Sequence, residues 1–303
     1  MRILITGATG LVGTALTRLL LEKGVSVHYL TLSTSEKKAF DQPNCVGFHW
    51  NPEQGIIDEN CLIGVDVIIH LAGATIAKRW TNKQKQAIIE SRILSSNVLF
   101  KAVKENPNRV TQIVSASAIG IYPDSHSAVY TEMSTAVDPG FLAHVVLKWE
   151  ESVDKFKLLN IKVCKLRTST VFAKEAGALP VMAKPIKMGF GANFGNGKQI
   201  QSWIHVRDLA RLYFYAVQNG WEGIYNATSP QPITNAAQTK LMAKILQKPL
   251  WLPNIPRFVM KLALGEMHEL LFNDKNVSAQ KAIDSGFTFD FPDPESALRD
   301  TLQ

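Results

Sequence analysis

One stretch near the amino terminus restricts this chain more than any other: Ile5-Thr6-Gly7-Ala8-Thr9-Gly10-Leu11-Val12-Gly13. The apolar run at 2–6 reads as a buried strand, and an apolar-periodic helix is expected over 11–23, stopped by Gly24. Glycines suit such a junction for three reasons: the first permits the tight turn, the second lets backbone approach a phosphate, and the third lets helix pack close on strand. The helix amino terminus then offers free N–H groups and a partial positive charge. Gly7, Thr9, Gly10, Leu11, Val12 and Gly13 are therefore expected to hold the pyrophosphate of a dinucleotide.

Strand and helix patterns alternate through the first two-thirds of the chain. Further strands are expected at 25–31, 46–50, 66–71, 110–116 and 161–166, with helices at 81–105 and 141–159. This argues for an α/β fold, a Rossmann-type doubly wound parallel sheet. The pattern changes at 176–197, rich in Gly and Pro and weakly periodic. A helix is expected from 206 to 218 and a strand at 223–227; from 234 the text is mostly helical, broken by Pro249, Pro253 and Pro256. We expect 1–170, with 203–230 returning to it, to form the dinucleotide-binding domain. Residues 171–202 and 231–303 would form a smaller, mostly helical substrate-side lobe.

At 303 residues, 46% hydrophobic and 19% charged, the chain can bury a core without metals or disulfides. Cys45, Cys61 and Cys164 are odd in number and far apart, which argues against a disulfide framework or zinc site and for a reducing cytoplasm. No stretch is long and apolar enough to span a bilayer, and no membrane partner is expected. The net charge is +7, with lysine and arginine scattered. A basic surface plus a site for an anionic cofactor accounts for this, and no nucleic-acid partner is expected.

The segment TGATGLVG at 6–13 resembles the extended short-chain dehydrogenase/reductases, the group of NAD-dependent epimerases and dehydratases. Other blocks narrow the resemblance to a poorly characterised epimerase-like branch with its own C-terminal domain. They are HLAG at 70–73, RWT at 79–81, SR at 91–92, SASAIG at 115–120, WIHVRD at 203–208, LPNIPRFVMKLALGE at 252–266 and GFTF at 286–289. The resemblance covers nearly the whole chain. It implies an NAD(P)-binding fold with a cleft for a small-molecule substrate. Members often pair through two helices, so a homodimer is one expectation.

An NAD-preferring fold usually ends its second strand with Asp or Glu, an NADP-preferring one with Arg nearby. Here that strand ends Leu30-Thr31-Leu32-Ser33-Thr34. In the branch it resembles, arginine commonly stands where this chain has Leu32. Ser33, Thr34, Lys37 and Lys38 could receive a 2′-phosphate, and no carboxylate stands before Glu36, so NADP is expected ahead of NAD. The resemblance places Asn51 near the adenine. The small residues of Leu71-Ala72-Gly73 would let backbone run beneath the cofactor.

Catalysis in the extended family rests on a Ser or Thr and a Tyr-x-x-x-Lys helix. Carried onto this chain, the pattern gives Ser117 as the serine, with Ser115 as an alternate, and Lys148 as the lysine, with His144 where tyrosine is expected. Histidine can exchange protons near neutral pH, so His144 is a substitute acid–base group or else an exposed helix residue. Tyr122 is a second candidate acid or an aromatic lining the pocket. Arg92, on the long helix, faces the cofactor by resemblance and suits an anionic group. Thr168 follows Arg167 in a loop that would border the nicotinamide. Asp208 resembles a fold-supporting aspartate. The leading expectation is an NADP-dependent oxidoreductase or epimerase-like enzyme on a small polar substrate. The alternative, motivated by the missing tyrosine, is a dinucleotide-binding sensor with little turnover.

Overall fold

The computed structural model describes residues 1–33, 40 and 42–303. The first half runs β1 (Arg2–Thr6), α1 (Leu11–Glu22), β2 (Ser26–Thr31), β3 (Cys45–Asn51), β4 (Ile56–Ile57), β5 (Val67–His70), α2 (Asn82–Glu105), β6 (Gln112–Ala118), β7 (Val129–Tyr130), α3 (Phe141–Asp154). It continues through β8 (Lys162–Thr168), β9 (Thr170–Phe172), α4 (Ala178–Lys187), β10 (Ile200–Gln201), β11 (Trp203–His205), α5 (Val206–Gln218), β12 (Gly223–Ala227) and β13 (Ile233–Thr234). The last part is helical but for one short strand: α6 (Asn235–Ile245), α7 (Arg257–Leu264), α8 (Glu269–Phe272), β14 (Asn276–Val277), α9 (Gln280–Asp284) and α10 (Pro294–Leu302).

Eight strands form one sheet in the order β12-β8-β6-β5-β1-β2-β3-β4, parallel except where β4 turns back on β3. The inner strands are apolar on both sides because helices cover both sides. On one face Leu4, Ile68, Ile113 and Val163 pack against Leu99 of α2 and Trp149 and Val153 of α3. On the other, Ile3, Ile5, Val114 and Leu166 meet Leu16 and Leu20 of α1 and Leu212 and Ala216 of α5. The parallel strands end on one edge, at Thr6, His70, Ala118 and Thr168. That edge carries the candidate site.

The structure departs from the sequence expectations in three places. The strand expected at 161–166 runs on to Thr168, which brings Arg167 inside the sheet. The weakly periodic 176–197 contains α4, which buries Leu179, Ala183 and Ile186; Pro185 in its last turn disguised the pattern. These residues join Trp203, Met242, Ala243 and Leu298 in a separate apolar cluster. Not all of the C-terminal third belongs there, since Ala282 and Phe287 pack into the core of the sheet. Cys45, Cys61 and Cys164 are buried free thiols. Among the described residues no helix is long and apolar enough to cross a membrane.

Candidate functional site

The glycine loop joins β1 to α1 at the strand edge. Gly7 has φ +69°, and a side chain there would press on the Leu71 and Ala72 backbone at 3.1–3.2 Å. A methyl group on Gly13 would lie 2.1 Å from the Gly7 carbonyl oxygen. Only glycine fits, because α1 starts directly against the end of β1. Gly10 caps α1 with no side-chain hydrogen bond, and the first turn holds no acid. The N-terminal N–H groups thus face outward beside exposed Thr9, with Leu11 and Val12 half-buried.

The segment Leu71-Ala72-Gly73 passes beneath this loop. Thr6 Oγ1 accepts hydrogen bonds from the Leu71 and Ala72 N–H groups at 3.1 and 3.0 Å. It therefore donates to His70 Nδ1, 2.8 Å away, and leaves Nε2 of that ring as the donor to Ser96 Oγ, 3.1 Å away. Ser96 in turn donates to the Arg92 carbonyl. His70 is completely buried; desolvation, with the nearby Arg92 charge, lowers its pKa to about 3 and keeps it neutral. Leu32 follows β2 and is 67% exposed, with half-buried Ser33 behind it. Thr34, Lys37 and Lys38 lie outside the described residues. Asn51 ends β3, and its side chain accepts from the Gln54 N–H. Thr168 ends β8, half-buried, with its hydroxyl on the Leu166 carbonyl.

Arg92 lies against Gly73, 3.2 Å from the place a Gly73 methyl would occupy, and its guanidinium sits over the Trp149 ring. Nη1 donates to the Ala74 and Ile88 carbonyls at 3.2 and 2.9 Å, while Nε is buried without a partner. Among the described residues no carboxylate pairs with it. Desolvation lowers its pKa to about 10, so it stays charged. Its charge thus rests on two carbonyl oxygens and the face of the Trp149 ring.

Ser117 and Tyr122 belong to a buried polar network. Ser117 Oγ donates to Glu150 Oε1 at 2.6 Å; Arg167 grips both oxygens of Glu150 at 2.9 and 3.0 Å, and its Nη1 donates to the Tyr122 hydroxyl. That hydroxyl donates to Asn226 Oδ1 at 2.9 Å. Burial pushes the Glu150 carboxyl up, but the Arg167 hydrogen bonds and charge, with Ser117 and Lys165, outweigh this and hold it below its ordinary value. Burial raises the Tyr122 pKa against the pull of Arg167. Both hydroxyl protons are committed inside the protein, so Tyr122 is a network member and not an acid facing a pocket.

His144 and Lys148 are a correction. Both are exposed on the outer face of α3, and Lys148 pairs with Glu151 at 3.0 Å. The inner face carries Val145, Val146, Trp149, Glu150 and Val153. Leu142 abuts Gly120 just past β6, and Val146, one turn on, packs with Ile121 and Tyr122. Two apolar residues thus occupy the pair of positions where the Tyr-x-x-x-Lys pattern would face the strand edge. The structure brings together the glycine loop, 71–73 and Arg92, with Ser117 and Thr168 on the same strand edge, and it excludes His144 and Lys148. Glu150 and Asn226 are members that sequence reasoning missed; Arg167, at the end of an apolar strand, was the signal that a buried carboxylate had to exist.

Asp208 is buried and accepts the Asp290 and Phe291 N–H groups, tying α5 to the C-terminal segment. His205 caps α5 through Nδ1 and stacks on Phe291.

Residues 3–228 match the NAD dependent epimerase/dehydratase family, and 255–301 match a Domain of unknown function (DUF1731). The chain is 37% identical over 299 residues to the epimerase family protein YfhF of Bacillus subtilis (strain 168), covering 98% of this chain and 97% of that protein. The crystal structure of human epimerase family protein SDR39U1 (isoform2) with NADPH superposes with a TM-score of 0.85 at 26% identity, covering 99% of each chain. The UDP-glucuronic acid 4-epimerase from Bacillus cereus in complex with NAD shares the fold at TM-score 0.78 and 17% identity, covering 99% of this chain and 96% of the other. A glycine cradle closed to any side chain, a parallel sheet carrying it and end-to-end similarity to such proteins lead to one assignment: the chain belongs to the NAD dependent epimerase/dehydratase family.

Proposed function

We propose that this protein is an NADP(H)-dependent oxidoreductase or epimerase-like enzyme acting on a small, polar, anionic substrate. The observation that carries this reading is the cradle at Gly7, Gly10 and Gly13, where a single methyl on Gly13 would lie 2.1 Å from a carbonyl oxygen. Bound there, a nicotinamide dinucleotide would supply hydride chemistry. Leu11 and Val12 N–H groups would receive the pyrophosphate, and the 71–73 backbone would run beneath the cofactor. Arg92 would hold an anionic group of the cofactor or substrate by charge-assisted hydrogen bonds. Ser117, buried with its proton held by Glu150, would brace the strand edge beneath the reacting groups rather than donate to them. With Leu142 and Val146 on the inner face of α3, the proton would be exchanged with water. NADPH preference is supported by the missing carboxylate at the end of β2 and by the NADPH in the human relative's structure.

The same apolar face favours a second reading, a dinucleotide binder with little turnover. A screen of NADPH oxidation against small 2-oxo acids, and of NADP+ reduction or stereochemical conversion with nucleotide sugars, separates them. The enzyme reading expects turnover with a KM raised at least tenfold in Arg92→Leu, the loss of one charged hydrogen bond. Dinucleotide binding with no carbonyl reduction, no alcohol oxidation and no epimerisation would leave the binder.

A further inference from the structure

Charge is less evenly spread than the total of +7 suggests. Segments 176–207 and 223–265 contain no Asp or Glu, yet they hold nine lysines and arginines. The next carboxylate, Glu266, pairs with Lys85. The fold draws parts of the two segments together. Trp251 Nε1 donates to the Gly189 carbonyl at 3.0 Å, Leu250 abuts Gly191, and the Ile255 N–H donates to the Asn193 carbonyl at 2.8 Å. Helix α7 follows directly and buries none of its residues.

The resulting ridge is cationic with apolar tips. Lys184, Lys187, Lys248, Arg257 and Lys261 are exposed in these segments. Beside them Phe258 is 73% and Leu262 83% exposed, four residues apart on one side of α7, and Trp251, Phe190 and Met188 are more than half exposed. Large apolar side chains clustered in water mark an interaction surface. The charge within the two segments is of one sign, and it selects the partner's chemistry. A second copy docked on the same patch would set cations against cations. A nucleic-acid duplex would answer the charge but, with its bases stacked inside, leave Phe258, Leu262, Trp251 and Phe190 wet.

We propose that this ridge docks peripherally on an anionic lipid bilayer. Phe258, Leu262, Trp251 and Phe190 enter the headgroup layer, and the lysines lie against lipid phosphates. This is contact with a membrane surface and not a span. It goes beyond the sequence expectation, which named no membrane partner.

The test is flotation of the full chain with phosphatidylcholine vesicles and with vesicles of about one-third phosphatidylglycerol. The protein should float only with the anionic vesicles and lose them in high salt. Each lysine contributes about fivefold in partitioning, so Lys184→Glu with Lys187→Glu should reduce binding by more than about twentyfold. Phe258→Ser with Leu262→Ser should also abolish flotation while thermal melting and NADPH binding stay unchanged, since both side chains are exposed. Equal flotation with neutral vesicles, or none with either, would overturn the proposal. So would retained flotation of the Phe258→Ser/Leu262→Ser variant, tight salt-sensitive binding to duplex DNA in its place, or a dimer that this variant dissolves.

Discussion

Glu150→Gln should be among the most destabilising polar substitutions in the chain. Glutamine keeps the size of the side chain and an acceptor for Ser117, but removes the charge that Arg167 grips at 2.9 and 3.0 Å. The Arg167 side chain is 7% exposed and would be left with the neutral Tyr122 hydroxyl. Breaking a buried pair by removing one partner costs about 3–5 kcal/mol, because the other charge stays buried and unpaired. At about 2–4 °C per kcal/mol for a chain of this order, Tm should fall by roughly 10 °C. Equilibrium unfolding in urea measures the loss. The double variant Glu150→Gln/Arg167→Met should recover more than half of it, since both charges then leave the core. A loss below about 1 kcal/mol, the range of exposed ion pairs, would refute the argument that this pair is desolvated.

Three further outcomes follow from the site. His70 stays neutral in the fold with a pKa of about 3, against 6.5 for the free side chain. The unfolded chain therefore takes up a proton first as pH falls; this stability is present above pH 6.5, is lost by about 1.4 kcal/mol per unit below it and is gone near pH 3. His70→Asn should flatten that slope in urea melts taken across the window, and an unchanged slope would contradict the assignment. Leu32→Asp places a carboxylate at the exposed end of β2; NADPH affinity should drop at least tenfold with NADH affinity kept, and equal losses for both would count against NADP preference. His144→Ala and Lys148→Ala lie on the outer face of α3 and should leave NADPH affinity within about twofold, whereas a large loss would return them to the site.

Much of this was legible in the sequence. The loop at 6–13 declares strand, turn and helix, and the alternation behind it declares a parallel sheet. The inner face of α3 was also readable: Leu142, Val145, Val146, Trp149 and Val153 follow a helical period, and 144 and 148 lie off it. Matching a motif by its lysine placed the pair one helix face away. What sequence could not supply is pairing over distance. Glu150 meets Arg167 because α3 packs on β6 and β8, and Tyr122 meets Asn226 from a strand 104 positions further on. The cationic ridge also needs the fold, since 184–191 and 248–255 become neighbours only through contacts between segments far apart in the chain.

The most direct test of the central claim is a titration of the purified protein with NADPH and NADH, read by thermal shift and protein-bound nicotinamide fluorescence. The account predicts a saturable rise in Tm with NADPH, at concentrations at least tenfold below those needed for NADH. No rise with either would contradict the dinucleotide site over Gly7, Gly10 and Gly13.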